Sequence, residues 1–218
     1  MLGSLRRKIG RDWIGHRDIV LLSKAVERPL AEYPGFLLVE YMRYDAAVFA
    51  VNERFDRGFP EERLRRRFER GMRFYEFRRD ERTLATTWVI LRGERFVDEV
   101  GLGFPLHSRS LWVRDVFVDP KFRGQGLFAV LLDLVLAGMP ERELLWSDVE
   151  RSNQPSLRAH ASYGYRMVAR YAVIHLLGKL LLRVRWPDDL ETSSSYQPTR
   201  KLLLTGKDYH SFITNGMA

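Results

Sequence analysis

Arg123-Gly124-Gln125-Gly126 is a short, bare turn between an apolar strand-like run and an apolar helix-like run. A glycine-containing loop that opens a helix presents several unpaired backbone N–H groups in one direction. The helix dipole adds partial positive charge at the same place. Glycines let a bulky anion approach the main chain, and Arg123 can add a full charge. Those features suit a phosphate, and better a pyrophosphate. They equally suit a plain strand-to-helix turn in which glycine serves packing. The spacing is not that of a Walker loop, which needs a longer glycine-to-lysine span. It also lacks the three spaced glycines of a dinucleotide fingerprint.

Two elements must position the turn. Residues 111–118 are rich in β-branched and aromatic side chains and predict a buried strand, which Asp119-Pro120 ends. From Leu127 onward, Leu127, Phe128, Val130, Leu131, Leu132, Leu134, Val135 and Leu136 go nearly all round a helix, which predicts a buried one. Downstream, 144–149 predicts a second buried strand. Asn153, Ser156, His160, Gly164 and Tyr165 follow it.

Val118-x-Pro120-x-x-Arg123-Gly124-Gln125-Gly126-Leu127 resembles the acyl-CoA-binding motif of the GNAT superfamily of N-acetyltransferases. The Asn153 to Tyr165 spacing resembles that family's second signature, in the right order and at a fitting separation. The resemblance extends over roughly 36–184 and is strongest over 111–168. It implies an α/β (α+β) fold: a mixed, twisted sheet with helices on both faces and two splayed central strands. It implies acetyl-CoA, or another acyl-CoA, as the group bound. The main chain at Phe117 and Val118 would hold the pantetheine arm in the splayed gap. Main-chain groups of Arg123, Gly124, Gln125, Gly126, Leu127 and Phe128 would cradle the pyrophosphate. Asn153 and Ser156 would complete the cofactor side.

The chain departs from the family pattern at three places. Phe128 stands where a small residue is common. His160 stands where a thiolate-protonating tyrosine is common, with Tyr163 three residues later. No acid matches the family's strand glutamate: the matching place is near Trp112, with Arg114 next on that face, and strict alternation sends Asp115 to the other face. His160 therefore reads either as leaving-group acid or as a packed histidine. The acid–base candidates are Asp148, Asp98, Glu99 and Asp115, and a water chain could replace any of them.

Composition bounds the rest. The chain has 218 residues, 45% of them hydrophobic, which suits one core with appendages. There are no cysteines, so disulfides, thiolate metal sites and a cysteine nucleophile are excluded. The residues suggest no metal site. No apolar run reads as a signal peptide or a membrane span, which makes cytoplasm the expected location. The net charge of +8 favours anionic ligands, but no nucleic-acid-binding motif accompanies it.

The expected organisation is a basic extension over 1–17, one domain over 18–186 and a polar tail over 187–218. Leu2, Leu5, Ile9 and Trp13 lie at helical spacing among basic residues, so the extension is either an interfacial helix on an anionic membrane or a locally packed terminus. Strands are expected over 18–26 and 36–42. Helices are expected over 45–54, capped by Asp45, and from Pro60 to about Gly71, with Arg65, Arg66, Arg67 and Arg70 outward. A hairpin is expected around Asp80-Glu81, and 93–110 reads as a long loop with room for one short strand. A terminal hairpin turns at Gly178-Lys179.

Three functions compete. The first is an acyl-CoA-dependent N-acyltransferase, most simply an acetyltransferase acting on a primary amine of a small molecule or amino sugar. The second is a GNAT-like module that binds acyl-CoA without turnover. The third is a basic protein of nucleic acid or membrane surfaces, with the N-terminal extension as the membrane contact. Acceptor identity and oligomeric state stay open, a homodimer being compatible.

Overall fold

Local chemistry accounts for where the helices begin. A computed structural model describes residues 14–28, 30, 32–97, 102–176 and 179–185 of this chain. Helix α1 (Ala46–Arg54) starts at extended Asp45, whose side chain accepts from the Ala47 N–H at 2.7 Å. Helix α2 (Glu61–Glu69) follows Pro60 and carries Glu61 and Glu62 in its first turn. Those acids pair with Arg65 and Arg66 one turn later. Arg65 and Arg70 are exposed as expected, but Arg67 turns inward beside Leu64 and Phe68.

The strands are β1 (Ile14–Ala25), β2 (Leu37–Tyr41), β3 (Arg73–Arg79), β4 (Arg82–Ile90), β5 (Glu94–Val97), β6 (Leu102–Pro105), β7 (Ser110–Val118), β8 (Leu144–Glu150), β9 (Arg166–Leu176) and β10 (Lys179–Arg185). Helix α3 (Leu127–Ala137) joins β7 to β8, and α4 (Gln154–Ser162) joins β8 to β9. The main sheet runs β10-β9-β1-β8-β7-β4-β3-β2. Its neighbours are antiparallel except β7 and β8, which are parallel. The sheet is therefore mixed, with helices on both faces, as the resemblance implied. Residues 1–13 and 186–218, with most of the basic extension and the polar tail, lie outside the described residues.

The strands add one difference from the sequence reading and one placement that it left open. The segment 93–110 is not mainly loop: β5 and β6 pair from Glu94↔Pro105 to Val97↔Leu102 as a separate ribbon. Phe104 carries this ribbon onto Trp112 and Tyr171, with ring centroids 5.6 Å apart in each case. β1, moreover, lies in the sheet interior, between β8 and β9. Asp18 helps hold it there by accepting from Arg170 of β9 at 2.6 and 2.5 Å.

The sheet separates two apolar clusters. One gathers Val20, Tyr75, Phe77, Val89, Leu111 and Val113 against Leu131, Leu132, Val135 and Leu136 of α3. The other gathers Ile19, Phe74, Trp88, Trp112 and Trp146 against Val48 and Val51 of α1, Leu64 and Phe68 of α2, and the β5–β6 ribbon. Helix α3 is less completely buried than its composition suggests. Its inward stripe is fully covered, while Val130, Asp133 and Leu134 are partly exposed. Leu131 is 0% exposed. Leu131→Ala is therefore expected to destabilise the fold by about 2–5 kcal/mol, read from urea unfolding midpoints. A change below ~0.5 kcal/mol would mean that α3 does not anchor that cluster.

Candidate functional site

The site begins where β7 leaves β8. The two strands pair from Ser110↔Leu144 to Val113↔Ser147. β8 then stays with β1 through Glu150, while β7 stays with β4 through Val118. A bulge on β7 accompanies the parting. Trp88 faces Arg114 and Thr86 faces Phe117, so Thr87 alone opposes Asp115 and Val116. Asp115 takes φ +51°, left-handed for a non-glycine residue. The Thr87 hydroxyl donates to the Arg114 carbonyl at 3.2 Å, holding the bulge.

The bulge corrects one expectation. Strict alternation put Asp115 on the face opposite Arg114. The extra residue resets the alternation, and both meet the α2 side of the sheet: Arg67 Nη2 donates to Asp115 Oδ2 at 2.6 Å, and Arg114 Nε lies 3.4 Å from the same oxygen. Burial opposes the charge on Asp115, but Arg114 and Arg67 outweigh it and hold the carboxyl well below the usual carboxylate range.

Asp148, on the same face, is also enclosed. Arg95 reaches it from β5 with Nε–Oδ1 at 3.0 Å and Nη2–Oδ2 at 2.9 Å, and Trp112 Nε1 donates to Oδ1 at 2.7 Å. Burial again opposes ionisation, and Arg95 again overrides it, so the carboxyl is lowered below its ordinary value. Asp98 and Glu99 lie outside the described residues.

The turn after β7 is built for main-chain contact. The Asp119 side chain accepts from the Lys121 N–H at 2.9 Å, and a 3-10 turn over Pro120–Phe122 follows. Gly124 and Gly126 have φ +78° and +73°. A Cβ on either would meet nothing within 4 Å, so backbone conformation, not space, calls for glycine there. Gly126 is the N-cap of α3 and supplies no side-chain cap, which leaves first-turn N–H groups available. Arg123 Nε donates to the Val118 carbonyl at 3.2 Å, tying the turn to the strand end. Gln125 is exposed, Leu127 is buried, and the Phe128 ring lies 4.6 Å from the His160 ring.

The second motif supports the turn from behind. Asn153 caps α4, its side chain accepting from the Ser156 N–H at 3.2 Å. His160 is 3% exposed, packed between Phe128 and Tyr165. Its Nδ1 lies 2.8 Å from the Ser156 carbonyl, which can only accept, so Nδ1 carries the proton. Nε2 then accepts from the Ser147 hydroxyl at 2.9 Å. Ser147 is the last β8 residue paired with β7, so this bond reaches the fork itself. Burial lowers the His160 pKa below its ordinary value and so favours the neutral ring. The Tyr163 hydroxyl donates to Asp133 of α3, which also accepts from Tyr33 at 2.6 Å.

Sequence reasoning missed Arg67, Arg95 and Ser147. Arginine-rich stretches read as solvated faces, and no local signal marks which guanidinium will meet a distant carboxylate. Among the described residues no group of three or more His, Asp or Glu side chains could hold a metal ion. Among them also, no helix is long and apolar enough to cross a membrane.

A model of the acetyltransferase (GNAT) family matches residues 48–165. No curated protein matches the sequence. Among solved structures, a GNAT-family protein from Novosphingobium aromaticivorans is 22% identical with a TM-score of 0.51, over 72% of this chain and 63% of its own. A Drosophila protein is 16% identical with a TM-score of 0.50, over 80% of this chain and 56% of its own. A tandem GNAT protein from the clavulanic acid biosynthesis pathway is 15% identical with a TM-score of 0.50, over 86% and 59%. The chain thus spans less than two thirds of each of these structures. At such identities the likeness is one of fold.

The two carboxylates set an acid limit on stability. Their folded-state pKa values lie below the ordinary aspartate value of 3.8. Their contribution is therefore complete above that value and is lost as pH falls through the folded-state values. Asp148→Asn deprives the 3%-exposed Arg95 of its carboxylate and is expected to cost about 3–5 kcal/mol at neutral pH. Replacing both partners, Arg95→Met with Asp148→Leu, should recover most of that loss. Thermal melts at pH 7 and across pH 2 to 4 check both, and equal loss in the single and double variants would refute the charge-pair account.

Proposed function

This chain belongs to the acetyltransferase (GNAT) family, and on that premise we propose that it is an acyl-CoA-dependent N-acyltransferase acting on a primary amine. The observation that carries the reading is the fork: β7 and β8 part after Val113↔Ser147, and an uncapped helix N-terminus follows the β7 arm. Acyl-CoA fits the residues present. The N–H groups from Arg123 to Phe128 would hold its pyrophosphate, in a turn whose left-handed φ values at Gly124 and Gly126 suit glycine. The main chain of Phe117 and Val118 would line the pantetheine arm. Asn153 would act through the start of α4, since its side-chain oxygen is already engaged there.

The donor supplies an activated thioester carbonyl, to which the amine nitrogen bonds as the C–S bond breaks and sulfur takes a proton. This chain's part is orientation, because fixing amine and thioester together removes much of the entropic barrier. Asp148 and Asp115 are poor proton acceptors, being held ionised by arginines. Neither described candidate serves as base, so water in the fork is proposed to take the amine proton and to return one to the departing thiolate. His160 is assigned a packing role: it supports Phe128 and bonds Ser147 at the end of the paired stretch. An acetyl group and a small-molecule or amino-sugar acceptor remain the simplest choices.

The arginine-held carboxylates also support a second reading, a module that binds acyl-CoA without turnover. Thiol release with acetyl-CoA and a panel of amines separates the two, since steady CoA production with any acceptor removes the second.

Gly126→Pro tests the cradle. Proline holds φ near about −65°, against +73° here, and removes the N–H. Acetyl-CoA affinity in calorimetry should fall at least roughly tenfold, or about 1.4 kcal/mol. Unchanged affinity in a folded variant would place the ligand elsewhere.

His160→Ala tests the packing role. Melting temperature should fall, while kcat per folded molecule stays within about twofold. A kcat loss of roughly a hundredfold with acetyl-CoA affinity intact would instead make His160 an acid–base residue. Burial lowers the folded-state pKa, so the stability linked to His160 is complete above the ordinary value of 6.5 and falls as pH drops below it. The variant should lack that dependence.

A further inference from the structure

The connection from α1 to α2 gathers more positive charge than its neighbours neutralise. Phe59 lies in that connection, and three guanidinium groups sit over its ring: Arg57 at 5.3 Å, Arg63 at 4.6 Å and Arg67 at 4.7 Å from the centroid. Arg57 is also 4.7 Å from the Phe117 ring on β7, with Arg123 5.6 Å from that ring. Arg67 is 5.0 Å from Trp88. Aromatic faces hold a guanidinium plane in place while leaving its edge N–H groups for an acceptor.

The available carboxylates do not balance the cluster. Glu61 and Glu62 pair with Arg65 and Arg66. Asp115 serves Arg67 and is shared with Arg114. Arg57 and Arg63 form no ion pair with a carboxylate among the described residues. Arg67 is 5% exposed, and its Nη1 is buried without a hydrogen-bond partner. A buried, half-satisfied guanidinium is costly unless something else supplies an oxygen.

We propose that Arg57, Arg63 and Arg67, arranged around Phe59, receive a carboxylate or phosphate group of the amine acceptor, so that the acceptor is a small primary amine carrying negative charge. The proposal rests on the acyltransferase reading and narrows its substrate class. The cluster lies on the α1–α2 face, and Asp115 connects it to the β7 bulge next to the fork. An acceptor anchored there by its anion would lie beside β7, which Arg67 touches at Asp115 and Arg57 at Phe117. Planar guanidinium forks match both carboxylate and phosphate oxygens, and the charge-assisted bonds are strong.

Coenzyme A also carries phosphates, and Arg123 links the cluster to the cradle through Phe117. The experiment therefore uses the full chain saturated with CoA, which occupies the cradle. Inorganic phosphate, glucosamine 6-phosphate and glucosamine are titrated by calorimetry into the wild type, Arg57→Gln and Arg63→Gln. Arg67 is left in place because its burial makes unfolding the simplest outcome of its loss.

Phosphate and glucosamine 6-phosphate should bind the CoA-saturated wild type, glucosamine at least roughly tenfold more weakly than its phosphate, and each variant should erase most of that preference. Affinity for CoA should stay within about twofold in both variants. No anion binding to the CoA-saturated chain, or anion binding indifferent to both substitutions, overturns the proposal. So does a loss of CoA affinity in the variants, which would give the cluster to the donor's own phosphates. If CoA itself fails to bind the wild type, it is the acyltransferase reading that fails. In that case phosphate titration of the free chain decides the anion site, and binding indifferent to Arg57→Gln and Arg63→Gln overturns it.

Discussion

One extra residue in β7 governs the geometry of this site. A strand inside a sheet normally keeps both neighbours. At Asp115 and Val116 the ladder to β4 takes in two residues against Thr87, and the strand bends. β8, held to β1 over Ile19↔Glu150 to Ala25↔Leu144, does not follow. Backbone groups that would have paired across the two strands are left to face a gap. Such groups cost free energy when buried without partners, so an extended ligand that pairs with them is favoured. The Thr87 hydroxyl and the Asp115–Arg67 bond hold the bulge from either side of the main chain.

The two faces of the sheet divide the work. On one, α3 and α4 meet through Phe128, His160 and Tyr163, so the glycine turn and the second motif are parts of one packed unit. A neutral histidine suits that place, since burial disfavours its charge and both ring nitrogens already have partners. The other face is electrically crowded. Asp148 and Asp115 are each tied to arginines from other elements, Arg95 on the β5–β6 ribbon and Arg67 on α2. Those ties trade proton-accepting power for order around the fork.

Much of this was legible in local pattern. Asp45 as a cap, Pro60 with two following acids, the Asp80-Glu81 hairpin and the Gly124 and Gly126 turn all depend on residues a few positions apart, and each appears where the residue types require it. The ribbon over 93–110 was less legible, because its strands are four residues each and its aromatic anchor, Phe104, packs on partners distant in the chain.

By itself, the sequence determined the strand–turn–helix at 111–137 and the strand that follows, and through the resemblance of their motifs it implied the family and its mixed sheet. Propensity, capping and glycine conformations act over a few residues, so they can be read from a few residues. Only the tertiary structure decided that β1 enters between β8 and β9, that Asp115 shares a face with Arg114, and which arginine each carboxylate would hold. The bulge is the clearest case. Alternation along a strand assumes an unbroken register, and register is set by the neighbouring strand, here Thr87 of β4, which lies far from Asp115 in the chain.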